Sequence, residues 1–289
     1  MKMSRLVLAL TAALALSARW ISPAWAQGES APVADNTPSD NTTEELADNG
    51  EDITNPLNRF DLRLQVKTLP DATASSGQIL DDRHAETLTL RSDLLLFPKP
   101  NQLALRFDLP LIWSNKSGSD NPNGLTKFGL GDFLAQAIYV RTLDPRWAGA
   151  IGMRTVVPTA TSDAFGSDKL QLVPTVAVRA QLPEISSGSN VGVIARQFVS
   201  VAGDSSRSNI NKFGLEPFLN IGLPEQWFVN SSPKMTYNLY TDKWFVPLDL
   251  MVGRKFGTRW VASLEYQYGL VGSSDNYKQW LELRVGHFF

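Results

Sequence analysis

The chain has 289 residues, no cysteine and a formal net charge of −2. Such a length suits one barrel of about ten to fourteen strands, or one or two soluble domains. The missing cysteine excludes a disulfide scaffold and a thiolate metal site, and it fits an oxidising envelope compartment.

Residues 1–26 read as a secretory signal peptide. Lys2 and Arg5 form its positive end, Leu6 to Leu16 its apolar run, and Ala24-Trp25-Ala26 its small-x-small cleavage site. An uncleaved anchor is the alternative, for which the run is short. No later stretch of the sequence is apolar enough for a transmembrane helix. Residues 27–58 hold eight acids (Glu29, Asp35, Asp40, Glu44, Glu45, Asp48, Glu51 and Asp52) and no Lys or Arg. Rich also in Ser, Thr, Asn and Pro, this segment lacks the apolar area that would offset its ordering entropy. It is expected to be a disordered, solvated periplasmic tether; a lumen plug and a partner-binding tail are the alternatives.

From Phe60 the texture changes to period-two alternation, the signature of strands with one apolar and one polar face. Strand one, Phe60 to Thr68, sets Phe60, Leu62, Leu64 and Val66 against Asp61, Arg63, Gln65 and Lys67. Strand two, Glu86 to Phe97, places Leu88, Leu90 and Leu94 opposite Arg91 and Asp93. Pro98 to Asn101 turns the chain into strand three, Gln102 to Trp113, whose Leu103, Leu105, Phe107, Leu109 and Leu111 oppose Arg106 and Asp108. A long polar loop, Ser114 to Gly131, follows. Strand four, Asp132 to Arg141, and strand seven, Asn190 to Val201, have apolar residues at both parities, so their faces cannot be assigned. Between them lie strand five, Trp147 to Val157, and strand six, Lys169 to Gln181. Strand eight spans Lys212 to Leu223, strand nine Trp227 to Tyr240, strand ten Trp244 to Lys255, and strand eleven Arg259 to Gly269.

The last stretch, Gln279 to Phe289, puts Leu281, Leu283, Val285, His287 and Phe289 on one face and Trp280, Glu282, Arg284 and Gly286 on the other. It resembles the C-terminal signature of bacterial outer-membrane barrels, with His287 where such proteins more often carry Tyr or an apolar residue. Twelve strands, long polar loops after most odd strands and shorter turns after even ones imply an all-β, transmembrane antiparallel up-and-down β-barrel, with both termini periplasmic. Aromatics near the strand ends, such as Trp113, Tyr139, Trp147, Trp227, Trp244 and Trp260, suit interfacial girdles.

In such a barrel the polar faces line the lumen. The expected lining includes Arg63, Arg91, Asp93, Arg106, Asp108, Arg154, Arg179, Glu216, Asp249, Glu265, Glu282 and Arg284. Pairing strands two and three across the Pro98–Asn101 turn sets Asp93 opposite Arg106 and Arg91 opposite Asp108, two reciprocal ion pairs that would fix the hairpin's register. Catalysis is not implied. His84 lies near Asp81 and Asp82 in a polar loop, a lone histidine in a solvated setting. No nucleophile elbow, paired-histidine metal motif or P-loop occurs in the sequence. No cofactor, metal or nucleic-acid partner is expected.

Several stretches carry a resemblance to a family of outer-membrane transporters named for the MetA pathway of phenol degradation. They are Asn55-Pro56-Leu57 before strand one, the run F-G-L-G-D-F from Phe128 to Phe133, and the stretch from Phe213 to Gly253 with L-E-P-F-L-N, W-F-V-N-S-S-P and W-F-V-P-L-D-L-M-V-G. Asp249 and Met251 stand where the family favours Gly, and Glu216 where it favours Gln. The resemblance implies a barrel that passes small, often aromatic or hydrophobic, molecules across the outer membrane. The expected partners are outer-membrane lipid, an unidentified small solute and, through the Phe289 strand, the barrel assembly machinery. A structural or adhesive barrel without transport is the runner-up, and a loop-active barrel hydrolase comes third.

Overall fold

Each amphipathic strand has an apolar face that must leave water and a backbone that must be hydrogen-bonded. In lipid, a sheet meets both demands only by closing on itself. The computed structural model describes residues 48–289 apart from 74–76, 78, 81, 118–120 and 274–275. The signal-peptide reading and residues 27–47 of the acidic segment lie outside the described residues.

Twelve antiparallel strands form a closed barrel. They are β1 (Arg59–Thr68), β2 (His84–Leu95), β3 (Asn101–Ser114), β4 (Phe133–Thr142), β5 (Trp147–Val157), β6 (Lys169–Gln181), β7 (Asn190–Gly203), β8 (Asn211–Gly222), β9 (Trp227–Ser231 continued by Met235–Asn238), β10 (Lys243–Phe256), β11 (Trp260–Val271) and β12 (Gln279–Phe288). Neighbours in sequence are neighbours in the wall. The seam is closed by β1 against β12, with Phe60 opposite His287 and Leu62 opposite Val285. The expected hairpin register is the one observed: Asp93 faces Arg106 and Arg91 faces Asp108.

Two local features differ from the expected strands. Strand nine is broken at Ser232–Lys234, where Pro233 has no N–H for the ladder. Lys127–Leu130, expected within a loop, pairs with the end of β3 and extends the wall beyond β4. There Phe128 packs on Trp113 with ring centroids 4.6 Å apart.

The outer face is apolar along the middle of every strand. Leu62, Leu109, Ile151, Val176, Leu219, Leu248, Leu250 and Leu264 are all exposed, which a water-facing surface of this extent would not tolerate. Tyr139, Trp147, Trp227 and Trp260 ring the rim of short turns, while Trp244, Tyr266 and Tyr268 lie toward the rim of long loops. Arg254, on the outer parity of β10, reaches the short-turn rim. It donates to the Glu225 carbonyl at 3.1 Å and lies over the Trp227 ring at 5.4 Å. His287 also takes the outer parity and meets Trp260 edge-on at 4.6 Å. Phe288 points into the barrel, and Phe289 is exposed at the rim.

Residues 48–58 depart from the expected disordered tether. They run inside the barrel at the short-turn end, with Asn49, Asp52, Ile53, Thr54 and Asn55 buried. The segment is ordered because the lumen wall supplies what its own composition lacks, namely counter-charges for its acids and apolar pockets for its two large aliphatic residues, Ile53 and Leu57.

Candidate functional site

The site is the lumen, and each wall strand presents alternate residues to it. All twelve residues expected to line it lie on the inward parity of their strands, and each is engaged. Arg91 grips Asp108 through two bonds of 2.7 Å. Arg106 does the same to Asp93 at 2.7 and 2.9 Å. Arg63 reaches Glu282 at 2.9 Å and Asp61 at 2.9 Å. Arg284 Nε lies 3.1 Å from Asp61. Glu216 pairs with Arg196 and accepts from Ser232 Oγ at 2.8 Å. Asp249 accepts from the Ser232 N–H. Glu265 accepts from Gln267 at 2.6 Å and from Lys234 at 3.1 Å. Arg179 meets Asp52 at 3.0 Å, and Arg154 meets, among the described residues, only the amide of Gln136. Charges with so little exposure persist only when paired or hydrogen-bonded, so apart from Arg154 these residues form mutually neutralising clusters rather than a row of free charges.

The inserted segment is tied into these clusters. Glu51 lies 2.8 Å from Arg63 and also contacts Arg284. Burial opposes its charge, but Arg63, Arg284 and Arg59 together hold the carboxyl well below the usual carboxylate range. Asp52 binds Arg179 and folds its own turn by accepting from the Thr54 N–H at 2.8 Å and the Thr54 hydroxyl at 2.7 Å. Asn49 donates to Asn220 at 2.7 Å, and its carbonyl accepts from Arg284 at 3.0 Å. Gly50 has a φ of 75°, and an added Cβ would stand 2.7 Å from an Arg59 guanidinium nitrogen. Glycine is therefore required where the segment crosses the arginine cluster.

Ile53 enters an apolar pocket formed by Ala104, Ile138, Val140, Ala177, Ile194 and Phe218. These are inward-facing residues of β3, β4, β6, β7 and β8. Their presence explains why strands four and seven show no polar face in the sequence: the interior there is built to hold a side chain and not water.

Around the segment little space is left, with voids of about 40 Å³ and 10 Å³ beside it. Toward the long loops the lumen widens into a cavity of about 390 Å³ lined by Glu51, Arg91, Arg106, Arg154, Arg196, Phe198, Lys234, Phe245 and Tyr277, among others. A vestibule of about 520 Å³ follows, lined in part by Lys67, Arg83, Lys116 and Tyr277. Among the described residues the larger spaces thus lie toward the loop side, and the inserted segment fills the other end.

No family model matches the chain, and no curated protein sequence does. Solved structures do match. The COG4313 outer membrane channel from Pseudomonas putida F1 superposes with a TM-score of 0.65 and 16% identity, covering 84% of this chain and 99% of that one. The NanC porin matches with a TM-score of 0.51 and 14% identity over 80% of this chain and 98% of its own. The fold is that of an outer-membrane β-barrel. At such identities the likeness concerns architecture, and the residues that carry function must be read from this chain itself.

Those residues include several that the sequence reading passed over. Arg59, Gln136, Arg196, Lys234 and Tyr277 belong to the lumen clusters, as do Glu51, Asp52 and Ile53 of the inserted segment. Arg196 was legible in principle as the one charge in strand seven, but the apolar inward neighbours Ile194 and Phe198 masked its parity. The two histidines take no part. His84 opens β2, where its N–H donates to Asn115 at 2.7 Å and its carbonyl accepts from Ser114 Oγ at 2.8 Å.

Proposed function

We propose that this protein is an outer-membrane channel for small molecules, held closed by its own N-terminal segment. The reading places the barrel in the bacterial outer membrane after signal-peptide removal, long loops outward and both termini in the periplasm. The observation that carries it is the asymmetric lumen: a largely polar cavity of about 390 Å³ on the loop side, ended by an eleven-residue plug held by specific side-chain contacts. A barrel with only a structural role would have no need of a cavity. A barrel closed permanently would be expected to fill it with wall side chains, as small barrels do. Solute passage then requires the plug to shift toward the periplasm, leaving its acids in water and the lumen arginines as the lining. Among solutes, small aromatic or hydrophobic molecules agree with the resemblance noted from the sequence and with Phe198, Phe245 and Tyr277 in the cavity wall.

Conductance in planar bilayers tests the reading. The intact protein is expected to give small, infrequent openings, and a variant lacking residues 27–58 to give a conductance several-fold larger. Absence of ion or solute flux in both would overturn the channel in favour of a non-transporting barrel.

A further inference from the structure

One rung of inward residues can be followed strand by strand through the cross-strand partners: Arg59 on β1, Asp93 on β2, Arg106 on β3, Gln136 on β4 and Arg154 on β5. Base and acid alternate along it until β4, where an amide stands in the place of the next carboxylate. The consequence is local. Arg59 and Arg106 both close on Asp93, at 2.6 and 2.7 Å. Arg154 instead donates from Nε and Nη2 to the Gln136 Oε1 at 3.2 and 3.0 Å, and among the described residues no carboxylate lies within 4.0 Å of its guanidinium.

Arg154 lines the cavity of about 390 Å³, beside Arg106 and Arg196, whose own charges are answered by Asp93 and Glu216. The same cavity has apolar wall from Ile194, Phe198, Phe245 and Tyr277. Its approach is one-signed: the vestibule above has Lys67, Arg83 and Lys116 in its lining and, among the described residues, no Asp or Glu. The two spaces share Lys67, Asn276 and Tyr277 in their walls, so the basic vestibule adjoins the cavity that holds Arg154 and favours anions next to it. The cavity volume falls within the range of small-ligand sites.

We propose that the upper lumen is a binding site for a small amphipathic monoanion, a carboxylate on an apolar body, with the carboxylate seated on Arg154 and the body against Phe198 and its apolar neighbours. The ligand supplies the acid that Gln136 withholds from the rung. A planar guanidinium with unused donors suits a carboxylate better than a lysine would, because two parallel bonds can form. The proposal rests on the reading of the lumen as the functional site. It names the solute class for that reading, but its test is equilibrium binding and does not depend on passage.

The experiment is titration of the purified, detergent-solubilised barrel with benzoate, with the uncharged isostere benzamide and with inorganic phosphate, followed calorimetrically. Benzoate is expected to bind at least tenfold tighter than benzamide or phosphate. Arg154→Gln is expected to weaken benzoate at least tenfold and leave benzamide unchanged. Gln136→Glu keeps Arg154 in place but completes the alternation, and it too is expected to cost benzoate at least tenfold. Heat-modifiable migration on gels confirms that each variant is a folded barrel.

Equal binding of benzoate and benzamide would overturn the proposal. So would phosphate binding as tightly as benzoate, or benzoate binding unaffected by Gln136→Glu. A barrel that binds benzoate as described but conducts nothing would refute the channel and leave this site standing. A barrel that conducts but does not prefer benzoate would do the reverse.

Discussion

Neutralising the two plug acids should open the lumen. In the double variant Glu51→Gln/Asp52→Asn the side-chain shapes, and the Oδ1 that accepts from Thr54, are kept, while the charges facing Arg63, Arg284 and Arg179 are lost. Removing one partner of a fully buried ion pair costs about 3–5 kcal/mol, chiefly because the other charge is stranded. Arg179 and Asp52 are each 5% exposed, so that pair sits near the lower end of the range. Glu51 is 19% exposed and its arginines keep Asp61 and Glu282 as partners, so its loss is worth less, on the order of 1–2 kcal/mol. The two together amount to about 4–5 kcal/mol, or roughly three decades in the ratio of docked to undocked plug at 1.4 kcal/mol per decade. A plug that is docked almost all the time would then be free for a large fraction of it. Single-channel recording reads this directly as a rise in open probability with no change in the size of the fully open state. Traces indistinguishable from those of the unaltered protein, from a variant that still migrates as a folded barrel, would refute the claim that these ion pairs hold the lumen shut.

Other consequences can be checked alongside. The Glu51 carboxyl is held well below its ordinary value, so its contribution to docking is fully present above that ordinary value and is lost only as pH falls through the depressed one; the ratio of open probabilities of Glu51→Gln and the unaltered protein should therefore be constant from pH 8 to pH 5 and shrink only in stronger acid. Ile53→Ala leaves a void among Ala104, Ile138, Ile194 and Phe218, and should loosen the plug by about 2–4 kcal/mol, read as faster proteolysis near residue 53 with an unchanged barrel. Reversing one hairpin charge, Arg91→Asp, should destabilise the barrel by about 2–4 kcal/mol in urea unfolding from lipid vesicles. Adding Asp108→Arg should recover much of that loss, because the two face one another across β2 and β3. Leu250→Arg, on the lipid face, should cost about 2–4 kcal/mol in the same assay, and a cost near zero would mean that this face is not in the membrane.

The sequence by itself determined the wall. Strict alternation in Phe60 to Lys67, and the near-alternation of Leu281 to Gly286, commit each side chain to a face, and the short turn at Pro98–Asn101 fixes Asp93 against Arg106 without reference to anything distant. These are local consequences of a period of two, and they suffice for strand number, closure and most of the lining. Where the interior is itself apolar, the signal vanishes. Ile138 and Val140 on β4, and Ile194 on β7, look inward at Ile53, so both faces of those strands are apolar and only the assembled barrel says which is which. The acidic segment shows the same limit from the other side. Taken alone, residues 48–58 have too little apolar area and too much like charge to fold. Their order comes from Arg63, Arg179 and Arg284, residues between 12 and 235 positions away, which only closure brings together. Pairing between distant charges has no local period to betray it. For that reason the wall could be read from the chain, while the plug, and the arginine on β5 that has no carboxylate partner among the described residues, were decided by the tertiary structure.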